Sequence, residues 1–140
     1  MKDIALMHYF LGLEVWHRPD EIFLNHVKYT IEILKRIGMM ECKSKATLMN
    51  SNLKLLNGDT LEHVDLVVCR QLIISLMYLV NTRIDIFFVL NSLIQYMVEP
   101  IHVNWIKTKH VLRYLKGTIG YGLKYVLNRK LELHGYIDSD

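Results

Sequence analysis

Three blocks between positions 69 and 118, CRQLIISLMYLVNTRIDI, NSLIQYMVEP and HVNWIKTKHVLRYLKGT, differ in how their apolar residues are spaced. The first belongs to a stretch, 65–80, that is apolar nearly all round, which predicts a helix buried on several sides. A second helix is predicted over 85–97, separated from the first near Asn81, Thr82 and Arg83 and stopped at Glu99-Pro100. Pro100 has no N–H to donate and disfavours helical geometry at Glu99. The third, 101–116, separates its faces. Ile101, Trp105, Thr108, Leu112 and Leu115 form one stripe, Lys109, Arg113 and Lys116 form another, and Gly117 closes the helix.

Toward the N-terminus the pattern changes. HYFLGLEVW (8–16) is dense in aromatic and branched residues, His17-Arg18-Pro19-Asp20 has turn composition, and EIFL (21–24) resumes the apolar run. Together these predict a β-hairpin. Asn25 offers a side-chain oxygen to cap a helix predicted over 26–37, in which Val27, Ile31 and Leu34 share a stripe. Glu32 and Arg36 sit at i,i+4 on that helix, and Gly38 stops it. Positions 39–62 hold no sustained period and end near the turn signal Asn57-Gly58-Asp59, which predicts an extended linker over the surface. After Gly120 two strands are predicted, 122–127 and 131–138. In the second, Leu131, Leu133, Gly135 and Ile137 alternate with Glu132, His134, Tyr136 and Asp138. The expected class is α+β: an N-terminal β-hairpin, three to four helices, and a C-terminal β-hairpin whose last strand has little to pair against, as in a piece of a larger fold.

Composition narrows the class. A chain of 140 residues has the length of one domain, and 51% hydrophobic with 22% charged residues excludes intrinsic disorder. Charge is unevenly placed: 101–130 holds Lys107, Lys109, Arg113, Lys116, Lys124, Arg129 and Lys130 and no Asp or Glu. That segment carries +7 against a whole-chain +3, so the remainder carries −4. Two readings stand for the positive segment, contact with an acidic partner or a solvated basic face. Cys42 and Cys69 are far apart and the seven His lack metal-ligand spacing, which argues against a disulfide framework or a zinc site. A reducing intracellular compartment, cytoplasm or nucleus, is the default. The apolar run 72–80 is far short of the about 20 residues needed to span a bilayer, so no membrane partner is expected.

HYFLGLEV, KYTIEILKRIGMMECKS, CRQLIISLMYLVNTRIDI, NSLIQYM, KHVLRYLKGTIGYGLKYV and GYIDSD follow one another in an order and spacing that resemble the polyprotein (Pol) of copia-type LTR retrotransposons. The resemblance covers practically the whole chain. It implies a fragment running from the C-terminal part of the reverse transcriptase to the start of ribonuclease H. It divides the chain into a palm-end β-hairpin (1–25), a helix and extended linker (26–62), a thumb and connection helical region (63–118) and the first, truncated strands of a ribonuclease H-like domain (119–140). Met1 would then be an internal methionine.

The resemblance also implies roles. The helix around Arg70 and Ile74 is similar to a thumb helix lying along the minor groove of a primer–template duplex. The family carries Gly where this chain has Ile74, so a branched side chain stands where the backbone would approach the duplex. The family also has prolines at the positions of Ser44, Leu48 and Ile84, and an aromatic at Cys69. Lys109, Arg113 and Lys116 are expected to contact phosphates, and Trp105 to anchor the core. Asp138 matches the first ribonuclease H carboxylate, but one carboxylate does not hold the two divalent metals of that chemistry. No Tyr-x-Asp-Asp turn occurs in the sequence. Expected from this are no catalytic residues, no metal or other cofactor held by this fragment although the full-length family uses Mg2+, and two partners: an RNA/DNA duplex and the rest of the polyprotein. Two alternatives stay open, an accessory nucleic-acid-binding module using the basic helix and a protein-interaction module using the apolar helical hairpin.

Overall fold

The computed structural model describes residues 8–48, 65–95, 97 and 102–127. Among them the chain is α+β, with four helices and a four-stranded antiparallel sheet. The strands are β1 (Tyr9–Phe10), β2 (Leu13–Arg18), β3 (Glu21–Asn25) and β4 (Gly122–Val126), in the order β1-β2-β3-β4. The helices are α1 (Val27–Arg36), α2 (Leu66–Leu79), α3 (Phe87–Ile94) and α4 (His102–Gly117), with a short 3-10 turn at Ile84–Ile86 before α3.

The expected N-terminal hairpin is β2 and β3, closed by the pair Arg18↔Glu21. The segment 8–16, read as one run, is in fact broken by a second turn. Leu11 (φ 48°) and Gly12 (φ 83°) supply the two consecutive positive φ angles of a primed two-residue turn, which folds β1 back onto β2. Leucine is a poor occupant of that position, and no periodic signal marked it. The hydroxyl of Tyr78 on α2 donates to the Leu11 carbonyl and holds the turn against the helices.

The start of α1 is satisfied from two places. Asn25 Oδ1 accepts from Val27 N at 3.4 Å, as its side chain suggested, while the buried Glu14 of β2 accepts from Lys28 N at 3.1 Å. At the other end Gly38 N bonds Lys35 O and Met39 N bonds Leu34 O, a Schellman arrangement that turns Met39 into the core. The stripe this helix buries is Thr30, Ile33 and Leu34, whereas Val27 and Ile31 are only half-buried.

The apolar core is built almost wholly by the helices, with Met39 added from the turn after α1. Ile33 and Leu34 of α1 meet Leu72, Ile73, Leu76 and Leu79 of α2, Val89, Leu90 and Leu93 of α3, and Val111, Leu112 and Leu115 of α4. Not every apolar residue of α2 is spent there. Asp65 caps it through Oδ1 to Val67 N at 2.9 Å, but Val67, Ile74 and Met77 remain exposed. The all-round burial predicted for this helix is therefore corrected to burial of one face, because no described element covers the other.

Two adjacent residues at the end of α2 tie the sheet to this core. Thr82 Oγ1 lies 2.6 Å from Nδ1 of His26, which is buried between β3 and α1 with the rings of Tyr29 and Tyr78 around it. Arg83, 3% exposed, grips both carboxylate oxygens of Asp85 (3.0 and 2.8 Å) and donates to the Thr118 carbonyl (2.9 Å) and hydroxyl (2.6 Å). Its guanidinium also lies over the rings of Tyr114 and Tyr121. Burial works to raise the Asp85 carboxyl, but hydrogen bonds from Arg83 and Tyr114 and the Arg83 charge outweigh it and hold the group below its ordinary value.

Thr118 and Tyr121 lead directly into β4, so the Arg83 anchor delivers that strand to the open edge of β3. Strand 122–127 was expected next to 131–138; within the described residues β4 pairs with β3, Asn25↔Gly122 through Glu21↔Val126, a partnership no local pattern announced. The strand expected at 131–138 and the turn at Asn57-Gly58-Asp59 lie outside the described residues. Gly122 makes the β3–β4 approach possible. A Cβ there would stand 2.1 Å from the Leu24 carbonyl oxygen and 2.9 Å from the Asn25 Cβ.

Replacing Gly122 with Ala is accordingly expected to part β3 from β4 at about 1–3 kcal/mol of stability, seen as a lowered urea midpoint and faster amide exchange at Leu24. Arg83→Leu is expected to cost about 3 kcal/mol, the low end for a broken buried ion pair because Asp85 keeps contact with water; thermal denaturation measures it. Burial holds the His26 imidazole below its ordinary value, with the Glu14 charge opposing. The unfolded chain therefore takes up this proton first, so stability is full above pH about 6.5 and falls as the pH drops from there toward the folded pKa. Denaturation midpoints across pH 7 to 5 should show that loss in the wild type and a flatter profile in His26→Gln.

Candidate nucleic-acid interface

The long helix α4 was expected to show one apolar and one basic stripe, and its buried arc is wider than that. Asn104, Thr108, His110, Val111, Leu112 and Leu115 are buried, while Trp105 is half-buried, packed against the core rather than inside it. The Thr108 hydroxyl returns its hydrogen to the Asn104 carbonyl at 2.7 Å, which lets a polar side chain sit inside the arc.

Residues 42–48 run along the helix beside the basic stripe. Lys45 N donates to the Arg113 carbonyl at 3.1 Å, the His110 ring nitrogen Nε2 lies 2.8 Å from the Thr47 carbonyl, and the Lys116 ammonium donates to the Cys42 carbonyl. The three cations singled out from spacing are therefore differently placed. Lys109 is half-buried with its ammonium 5.3 Å from the Trp105 ring centroid. Arg113 is half-buried, and its Nε has no hydrogen-bond partner among the described residues. Lys116 spends a donor on the 42–48 segment. The same contact brings Lys43, exposed, and Lys45, half-buried, to this side of α4. The Lys-Ser-Lys run after Cys42 was the available signal for them, but a segment read as a wrapping linker carried no position.

Arg70 and Ile74 lie on α2. Arg70 is half-buried and its Nε donates to the Met97 carbonyl at 2.7 Å, tying α2 to the end of the α3 segment. Ile74 is 60% exposed, beside no described covering element. These two residues stand on α2, whereas Lys109, Arg113 and Lys116 stand on α4. Asp138 lies outside the described residues.

Chemistry at the remaining reactive groups is limited. Burial pushes the Cys69 thiol up, although the nearby Arg70 charge draws it the other way, so the sulfur stays protonated and enclosed. Among the described residues no three His, Cys, Asp or Glu side chains converge in a way that could hold a metal ion. No helix among them is long and apolar enough to cross a membrane. Lys109, Arg113 and Lys116 of α4 are thus all half-buried, with Lys109 beside the Trp105 ring and Lys116 bonded to the 42–48 segment.

No protein-family model matches the chain, and no solved structure does. Curated relatives do. An uncharacterized mitochondrial protein of Arabidopsis thaliana is 39% identical over 140 residues, covering all of this chain and 58% of the relative. The retrovirus-related Pol polyprotein from transposon RE2 of the same plant is 37% identical, and that from transposon RE1 34%, each over the whole chain and 10% of the polyprotein. The chain thus spans just over half of one of these relatives and a tenth of the other two. Over its whole length the chain is therefore homologous to one segment of the retrovirus-related Pol polyproteins of copia-type transposons.

Proposed function

We propose that this chain is the thumb and connection region of a retrotransposon reverse transcriptase, reaching to the start of ribonuclease H, that helps hold a primer–template duplex and performs no catalysis by itself. The observation that carries the reading is the alignment of the whole chain with one stretch of the RE2 and RE1 polyproteins. Supporting it is the cationic side of α4, where Lys109, Arg113 and Lys116 are joined by Lys43 and Lys45 from the packed segment. Contacts of this kind neutralise phosphates and release counterions, giving affinity and register without base sequence. Polymerisation and RNA cleavage both require several carboxylates around divalent metals, and the sequence holds no Tyr-x-Asp-Asp turn. Mg2+ would act in the full polyprotein, at carboxylates beyond those of this segment.

One observation favours a second reading, a protein-interaction module docking on the rest of the polyprotein. Ile74 and Met77 on α2, with Ile84, Phe87 and Phe88 after it, are exposed apolar side chains, and Ile74 stands where a duplex would need backbone access.

The duplex reading is tested by binding the purified chain to a labelled RNA/DNA duplex across a salt series. The expected slope of log affinity against log salt is about −2 to −3 for three neutralised phosphates. The variant Lys109→Gln/Arg113→Gln/Lys116→Gln, checked for folding by circular dichroism, should lose most of the affinity and most of the slope. Binding indifferent to salt and to these substitutions would favour the protein-docking reading. Primer extension with Mg2+ is expected to be absent in every sample.

A further inference from the structure

Away from α4, one face of the sheet carries a cavity of about 390 Å3 lined by Trp16, Arg18, Glu21, Phe23, Asn25 and Lys124, among others. Strand alternation assembles it. Trp16, Phe23 and Lys124 are partners across β2, β3 and β4, and Arg18 with Glu21 forms the next row on the same face. At the far end Asn25 lies opposite Gly122, which has no side chain to fill the floor. None of these residues belongs to the helical core, and Trp16 is 59% exposed.

The composition of the cavity indicates its ligand. Two neighbouring aromatic rings on an open sheet face offer a stacking platform for a flat ring, and stacking of this kind tolerates any base. Arg18 and Lys124 flank the rings. The Lys124 ammonium is held 2.6 Å from the Glu21 carboxylate and its side chain is 54% exposed, so it is positioned with donors left for an anion. Asn25 closes the far end as a buried wall, its side-chain oxygen already engaged by Val27 N. An acidic peptide would use the cations and leave the rings idle, whereas a lipid surface would leave the lysine fixed by the Glu21–Lys124 pair without a role. A flat heterocycle joined to a phosphate uses both the rings and the cations. The cavity is open to solvent along the sheet, which admits a nucleotide that is still part of a chain.

We propose that this sheet face binds an unpaired nucleotide of a single-stranded nucleic acid, its base stacked on Trp16 and Phe23 and its phosphate met by Arg18 and Lys124. The site is separate from the α4 surface and does not depend on the duplex reading, since it uses different residues on different elements.

The test titrates the purified chain with a short oligothymidylate, reading tryptophan emission and the anisotropy of a labelled copy, with free thymidine monophosphate and the labelled duplex in parallel. The oligonucleotide should quench Trp16, and Trp16→Ala should weaken its binding at least about fivefold. Trp16→Phe should restore most of that affinity, Arg18→Gln should lower the salt slope, and duplex binding should be unchanged in Trp16→Ala. Oligonucleotide affinity equal in wild type and a folded Trp16→Ala overturns the site. Equal affinity for the free monophosphate and the oligonucleotide overturns the assignment to a strand. Loss of oligonucleotide binding in the Lys109→Gln/Arg113→Gln/Lys116→Gln variant, with Trp16→Ala unaffected, assigns all binding to α4 and overturns the proposal while leaving the duplex reading intact. Protection of Trp16 from acrylamide quenching in a longer polyprotein that includes the upstream segment would show the face covered by polypeptide, and would likewise overturn it.

Discussion

Thr82 and Arg83, neighbours just after α2, anchor both strands of the β3–β4 pair at its helical end. Thr82 reaches His26, where β3 gives way to α1, and Arg83 reaches Thr118 and Tyr121, where α4 gives way to β4. Among the described residues the core along α1 to α4 takes in no strand side chain, so burial of apolar surface alone would not set the sheet's position. Directional bonds do that work. A buried guanidinium is tolerable because its donors are met by Asp85 and Thr118 and its faces by two tyrosine rings. Once those contacts are in place, Gly122 falls opposite Asn25 and the remaining register of β4 follows.

This arrangement separates two kinds of surface. The helices close on each other and leave half-buried cations along α4, whereas the sheet is held at its helical end and leaves rings and charges on its face. The helical core sets α4's basic side, and the polar joint sets the sheet. A change in one therefore need not disturb the other, which is why the two proposed contacts with nucleic acid are separable by substitution.

What the sequence disclosed follows the range of the interactions concerned. Helices announce themselves through spacing over a few turns, and 26–37 and 65–80 were legible on that basis within a residue or two. The hairpin β2–β3 was legible because its turn residues, Pro19 and Asp20, lie between its strands. The pairing of β4 with β3 was not, since no local pattern states which distant edge a strand will join. The Leu11–Gly12 turn was hidden because leucine is placed where propensity would put asparagine or glycine. For the candidate interface, spacing located Lys109, Arg113 and Lys116 on one stripe, but not the way 42–48 packs beside it. The Trp16 cavity was illegible for the same reason as β4, because Lys124 joins it only through that strand.

The place of β3 in the sheet has a consequence for how the molecule is made. One of its edges is satisfied at once by β2, its neighbour along the chain, while the other waits for Gly122 to Val126 to emerge from the ribosome. During that interval a nascent polypeptide carries an open row of amide and carbonyl groups beside Trp16 and Phe23, a template for another chain's backbone. Chaperone engagement or early coverage of that edge would then govern how much of the product matures.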